Sequence, residues 1–367
     1  MRCSGWLALL GCVIVTSTAD AALLKKGRHL DRINEHLAGK VLDFTNNNGS
    51  NNRIWSQALH ECRDLYIYVP PGFDCSRPYP AMLWLNGFMQ DEVSFIEGVV
   101  QLLDGAIACG KLPPMIIAAP DGSIKGRASL LSAGSFYINS EAGNFEDFII
   151  QDVWCFLVTH FPVRPEREAH VIAGASMGGF GAYNLGIKYP EIFGVVIGVF
   201  PPLNLRWENC RGRYFAPFDP NCWGWRTDRI PGREVIGRFY LGLIRVHARR
   251  MVTPLFGRGP QVVPSLAREN PIEMLDAYDV QPGMYEMYIA YAGKDQFNIT
   301  AQVESFLFRA RERGLCIAVG YDRNGHHNRR TAKRLFPDIV KWLAPRIGPY
   351  SPLPWPAEGC AMPQFSF

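Results

Sequence analysis

The segment Ile172-Ala173-Gly174-Ala175-Ser176-Met177-Gly178-Gly179-Phe180 sets Gly-x-Ser-x-Gly directly after an apolar run and before a glycine-rich, helix-compatible stretch. In a strand–turn–helix setting, small residues let the chain reverse sharply and leave Ser176 strained at the apex, its hydroxyl raised above the sheet. The Met177 amide then opens the next helix, where it can donate to a developing oxyanion. The chemistry implied is nucleophilic attack on a carbonyl. The pentapeptide alone is common in unrelated chains, and an inert serine at a glycine-rich helix start is the competing reading. Its position between strand and helix favours the reactive one.

A serine nucleophile needs a base, and the base needs an orienting acid. In this kind of fold both follow the serine, acid first, at the ends of later strands. After Ser176 the only histidines are His247, His326 and His327. His247 sits in an arginine-rich stretch and reads as a surface residue. Gly325-His326-His327-Asn328 follows an apolar run ending near Tyr321, so His327 is the expected base and His326 the alternative. The run 286–291 enters Ala292-Gly293-Lys294-Asp295, which makes Asp295 the expected acid; Asp322 and Glu304 are less well placed. For the second oxyanion donor, Leu85-Asn86-Gly87-Phe88 closes the first central strand. The Phe88 amide is assigned that role, with Gly87 allowing close backbone approach and Asn86 bracing the loop. Phe136 and Tyr137, and the rings of Trp207, Tyr214, Trp223 and Trp225, are candidate pocket walls. Packing of an irregular loop explains those rings equally well. Arg211, Arg213 and Arg226 are candidates to meet a carboxylate on the substrate.

The elements that must position these residues alternate strand and helix. Strands are expected at 40–45, 65–69, 81–85, 115–119, 170–173, 195–198, 286–291 and 315–321. Helices are expected near 92–109, 145–160, 178–188 and 328–343, after a short surface helix within 22–38. This rhythm argues for a doubly wound, mostly parallel sheet covered on both faces. Residues 202–285 interrupt it with a long aromatic, arginine-rich stretch, best explained as a cap inserted over one end of the sheet. The chain has 367 residues, with 48% hydrophobic and 20% charged residues, which excludes disordered, collagen-like and coiled-coil classes. A formal charge of +4, from 38 basic and 34 acidic residues, gives no basis for nucleic-acid binding.

Arg2, the apolar run Trp6–Val15 and Thr18-Ala19-Asp20-Ala21 have the pattern of a signal peptide over residues 1–21, with export to a secreted or periplasmic location. Lipidation at Cys12 is the weaker alternative. The run is too short to span a bilayer as a helix, and no stable transmembrane segment is expected. Export permits disulfides: Cys210–Cys222 is the first expected pair, across a Gly-, Pro- and Trp-rich segment, and Cys62–Cys75 the second. The Pro-rich tail 350–367 is expected on the surface, with Cys360 able to tether it. No Cys-x-x-Cys or His-Glu-x-x-His spacing occurs, so no metal site is expected.

Together with Gly174-Ala175-Ser176-Met177-Gly178-Gly179, two further segments carry a family resemblance. Asp64-Leu65-Tyr66-Ile67-Tyr68-Val69-Pro70-Pro71-Gly72-Phe73 and Ala119-Pro120-Asp121-Gly122 resemble the esterase D-like esterases, α/β-hydrolases that include feruloyl and acetyl-xylan esterases, S-formylglutathione hydrolase and secreted mycolyltransferases. The resemblance runs from about residue 60 to residue 343. It implies an α/β-hydrolase domain over 22–349, with Ser176 as nucleophile, Asp295 as acid, His327 as base, and no cofactor. Family members commonly carry His-Gly in the oxyanion loop, where this chain has Asn86-Gly87. The cap-like stretch also departs from compact members, so substrate range does not transfer. The implied activity is a serine carboxylesterase acting on carbohydrate-linked or small-molecule esters, of acetyl or feruloyl type. An acyltransferase with the same triad, a peptidase of the same fold and a non-catalytic carbohydrate-binding protein are the alternatives. Oligomeric state is left open.

Overall fold

A computed structural model describes residues 29–129, 134–239 and 242–353. The expected signal peptide, Cys12, Cys360 and the tail beyond residue 353 lie outside the described residues. Eight strands form one sheet: β1 (Lys40–Phe44), β2 (Leu65–Val69), β3 (Ala81–Leu85), β4 (Ile116–Pro120), β5 (His170–Ala175), β6 (Val195–Val199), β7 (Glu286–Ala292) and β8 (Ala318–Asp322). Their order is β1-β2-β4-β3-β5-β6-β7-β8. Only β2 runs against the others, pairing antiparallel with both β1 and β4. This is the expected α/β-hydrolase architecture, a mostly parallel sheet flanked by helices with an inserted cap.

Central strands are buried on both faces, which explains why β3 (AMLWL) and β6 (VVIGV) read as continuous apolar runs rather than alternating ones. The helix Met177–Lys188 packs on β5 and β6, and Arg329–Ile347 packs on β7 and β8. One helix was not legible as such: Ile299–Glu312 lies between β7 and β8 and buries Ile299, Val303, Phe306, Leu307 and Ala310 at helical spacing. The final strand begins at Ala318 rather than Leu315, because Leu315 caps the end of that missed helix through its amide to Ala310 O.

The insert between β6 and β7 is structured. It contains a hairpin of Trp207–Asn209 with Trp223–Trp225, a second of Val235–Phe239 with Ile244–His247, and helices Ala248–Phe256, Val262–Arg268 and Pro271–Ala277. The Cys210–Cys222 disulfide is present, directly beyond the Asn209–Trp223 pair that ends the first hairpin. The Cys62–Cys75 pairing is corrected: both are free. Cys62 lies in the short strand Glu61–Arg63 before β2, and Cys75 lies past the Pro70–Phe73 turn that follows β2, so all of β2 separates them along the chain. Cys109, Cys155 and Cys316 are also unpaired thiols. Among the described residues, no helix is long and apolar enough to cross a membrane.

Candidate active site

Every element of the site leaves the carboxyl edge of a parallel strand. Ser176 follows β5, Asp295 follows β7, His327 follows β8, and the Asn86–Phe88 loop follows β3. Ser176 adopts φ 56° and ψ −117°, a conformation that non-glycine residues avoid at a cost of about 1–3 kcal/mol. Its amide donates to Val199 O at 2.7 Å, tying the turn to β6. Close packing makes the flanking glycines obligatory. A Cβ on Gly178 would overlap the Leu85 carbonyl, and one on Gly174 would overlap the Gly178 backbone. Positive φ recurs around the site, at Met89, Phe136, Tyr137 and Phe200.

The structure brings the three expected side chains into one hydrogen-bonded line. His327 Nε2 lies 3.0 Å from Ser176 Oγ, and His327 Nδ1 lies 2.8 Å from Asp295 Oδ2. A carboxylate oxygen accepts, so Nδ1 is the donor and Nε2 is left to accept the serine hydroxyl proton. The Asp295 side chain is fully buried. Its other oxygen accepts from the Phe297 amide at 2.7 Å and the Ile299 amide at 3.4 Å, at the N-terminus of the helix Ile299–Glu312. Phe200 and Phe297 pack against the imidazole, both at 5.1 Å between centroids. His326 is exposed and turned away: its Nδ1 meets Lys294 O and the Gln296 side-chain amide. Geometry thus separates two neighbours that spacing could not. Asp322 is engaged by Arg334, at 2.8 Å to its Nε, and His247 Nδ1 meets Arg233 O in the insert.

Two backbone amides near Ser176 have no protein acceptor among the described residues. Met177 is the first residue of its helix, so its amide has no intrahelical acceptor. Among the described residues the Phe88 amide has no protein acceptor, and both residues line the chamber above Ser176. The loop carrying Phe88 is held from below. Asn86, 1% exposed, donates from Nδ2 to Pro120 O at 3.1 Å and accepts at Oδ1 from Ser94 Oγ at 2.9 Å. Gly87 closes the turn, its amide donating to Gln90 Oε1 at 2.9 Å.

Some expected wall residues are placed elsewhere. Phe136 lines the chamber, as do Trp207 and Tyr214. Tyr137 does not; it is fully buried and its hydroxyl donates to Asn86 O at 3.0 Å, so it supports the loop. Trp223 and Trp225 are also off the chamber, stacked edge-on with each other, with Trp223 against Phe218 and Phe308. Both indoles are spent on closing the hairpin. Arg211 and Arg213 are exposed and do not line the chamber. Arg226 does line it, but its guanidinium already bridges Glu208 and Glu234. One contributor had no sequence signal: Gln296 Oε1 accepts from the His327 amide at 2.9 Å. Tyr214, expected only as a wall, also donates its hydroxyl to Phe297 O at 2.7 Å beside Asp295.

A cluster of carboxyl groups is buried under the Asn86–Phe88 loop. Burial, with Asp121, Asp91 and Asp64 nearby, pushes Glu92 up to about 9, so it is protonated at neutral pH. Its Oε1 accepts from Asn47 Nδ2 at 2.6 Å. Burial likewise raises Asp121 to about 6, against the opposing Arg63 guanidinium. The folded protein therefore holds a Glu92 proton that the unfolded chain releases above its ordinary value of 4.5. Stability is expected to fall as pH rises through that window, toward about 9. Glu92→Gln should remove this slope and gain about 1–3 kcal/mol at pH 7. Urea unfolding of both proteins at pH 5, 7 and 8.5 checks it; parallel pH profiles would count against a buried, protonated Glu92.

Residues 56–251, just over half of the chain, match the Esterase family model, whose description reads "Putative esterase". The chain belongs to the Esterase family. The match includes Phe88, Ser176 and Met177 but ends before Asp295 and His327, which enter the site through the fold alone. Among solved structures, this Esterase-family chain resembles a ferulic acid esterase (TM-score 0.61, 16% identity, 85% of this chain and 100% of the other). It also resembles S-formylglutathione hydrolase from Agrobacterium tumefaciens (TM-score 0.59, 16% identity, 85% and 97%). A third is a fluorophosphonate-binding serine hydrolase of Staphylococcus aureus (TM-score 0.58, 13% identity, 83% and 98%). At such identities these likenesses speak for the shared fold.

Proposed function

We propose that this Esterase-family chain is a serine carboxylic ester hydrolase acting on small-molecule esters, with Ser176 as nucleophile, His327 as general base and Asp295 as its orienting acid. The observation that carries this reading is the continuous line Asp295–His327–Ser176, at 2.8 and 3.0 Å. His327 Nε2 takes the hydroxyl proton as Ser176 Oγ attacks the ester carbonyl. The Phe88 and Met177 amides receive the oxyanion, each such donor being worth about 3–4 kcal/mol in the transition state. The alcohol leaves with the proton from His327. Water, deprotonated by the same imidazole, then clears the acyl-enzyme. Asp295, fixed by two backbone amides, holds the tautomer and stabilises the imidazolium. No step calls for a metal or organic cofactor. The chain would act outside the cytoplasm, with residues 1–21 removed on export.

The test is hydrolysis of 4-nitrophenyl acetate and butyrate by the purified mature chain and by Ser176→Ala. Turnover confined to the unmutated protein supports the assignment. Equal turnover by both would mean another nucleophile. Release of nitrophenol with the acyl group appearing on an added alcohol, rather than as free acid, would move the reading to an acyltransferase.

A further inference from the structure

We propose that the chamber over Ser176 is an acyl pocket for an uncharged, apolar chain of medium length, making medium-chain esters better substrates than acetyl or feruloyl esters. This rests on the assignment of Ser176 as nucleophile. The chamber has a volume of about 490 Å³. Pockets of that size hold whole drug-sized ligands, whereas an acetyl group would place only a single methyl in the chamber and leave most of it unfilled. The insert supplies much of its apolar wall, through Leu205, Ile236, Phe239, Val252, Leu255 and Phe256, and the loops around Ser176 supply the rest. The helix Ala248–Phe256 turns Met251, Val252 and Leu255 into the chamber, and Leu255 is 3% exposed. The insert thus supplies the site with an apolar roof.

The polar groups that the insert brings to those walls, Arg226 and Tyr214, are engaged with other protein groups. Arg226 Nη2 is held by Glu234 Oε1 at 2.5 Å, and its Nε faces Glu208 at 3.5 Å, so it offers no unbalanced charge to a substrate carboxylate. The Tyr214 hydroxyl donates to Phe297 O and accepts from Gln302 Nε2. Gln302 Oε1 lacks a partner but is itself buried. A phenolic hydroxyl carried among these insert side chains would meet Arg226 and Tyr214 already engaged, and would give up water for apolar surroundings. A methylene chain loses nothing there and gains with each carbon removed from water. The acyl group is the part that must stay while alcohol leaves and water enters, so the apolar walls beside Ser176 suit it.

The experiment measures kcat/KM for 4-nitrophenyl acetate, butyrate, hexanoate and octanoate, and for methyl ferulate, with the unmutated chain and with Val252→Phe. The expected result is a rise of at least about 100-fold from acetate to octanoate, since each buried methylene contributes roughly fourfold. Octanoate should exceed ferulate, and Val252→Phe should lower the octanoate-to-acetate ratio at least tenfold. A flat or falling series, or ferulate ahead of octanoate, overturns the proposal while leaving the hydrolase assignment standing. If no ester is turned over, calorimetry with 4-nitrophenyl octyl ether against the methyl ether decides. Binding at least tenfold tighter for the octyl ether, lost in Val252→Phe, supports the chamber though the hydrolase reading has failed. Equal or absent binding of the two ethers overturns it.

Discussion

Replacing His327 with alanine is expected to lower kcat for 4-nitrophenyl ester hydrolysis by about 10⁴- to 10⁶-fold. Without the imidazole, Ser176 Oγ loses the acceptor that lies 3.0 Å away and must attack as a neutral hydroxyl. Ser176→Ala should cost the same, and the double variant little more, because the groups act as a unit. His326→Ala provides the contrast. Its ring is exposed and bonds to Lys294 O, so the loss should stay below about tenfold, through loosening of the Gln296 bridge to the His327 amide. Circular dichroism on all variants separates folding from chemistry. Equal damage from the two histidines would remove the assignment of His327 as base.

The largest effect on stability is expected at the turn itself. Gly178→Ala would drive a Cβ into the Leu85 carbonyl, the last backbone group of a central buried strand. Neither partner is the free end of a flexible side chain, so the helix Met177–Lys188 would have to move off β3. The cost should exceed about 3 kcal/mol, at the severe end for a single methyl. Any protein that still folds should lose turnover as well, since Met177 shifts with the helix. Gly105→Ala makes the comparison sharp. That position lies in the helix Val100–Ala108 with open space around it, so alanine should stabilise by about 0.5–1 kcal/mol. Thermal melts and ester turnover read both changes. A stable, active Gly178→Ala would show that the turn tolerates a wider approach than its packing implies.

The local order of elements was legible because parallel strands buried on both faces write themselves as apolar runs, and the residues at their ends punctuate them. Leu83 and Leu85 entering Asn86-Gly87, and Ile172–Ala175 entering Ser176, are of this kind. So were Ser176 at its turn and the chain order in which Asp295 and His327 follow it. The helix Ile299–Glu312 was missed although Asn298 precedes it and its apolar residues recur at helical spacing, and with it went the reason Asp295 is held so firmly.

By itself, then, the chain determined the sheet, the turn at Ser176, the Asp295–His327 partnership and one disulfide, because each depends on neighbours close in sequence or on the fixed order of strands. Tertiary structure decided whatever depends on which way a side chain points. It put His327 rather than His326 within hydrogen-bond reach of Ser176, took Tyr137 from the wall to the underside of the Asn86–Phe88 loop, and spent Trp223 and Trp225 on a hairpin. It also left Cys62 and Cys75 unpaired, and engaged Arg226 with Glu208 and Glu234. Above all it set the insert's apolar side chains over the serine, since a roof is made of residues far apart in the chain whose meeting no local pattern records.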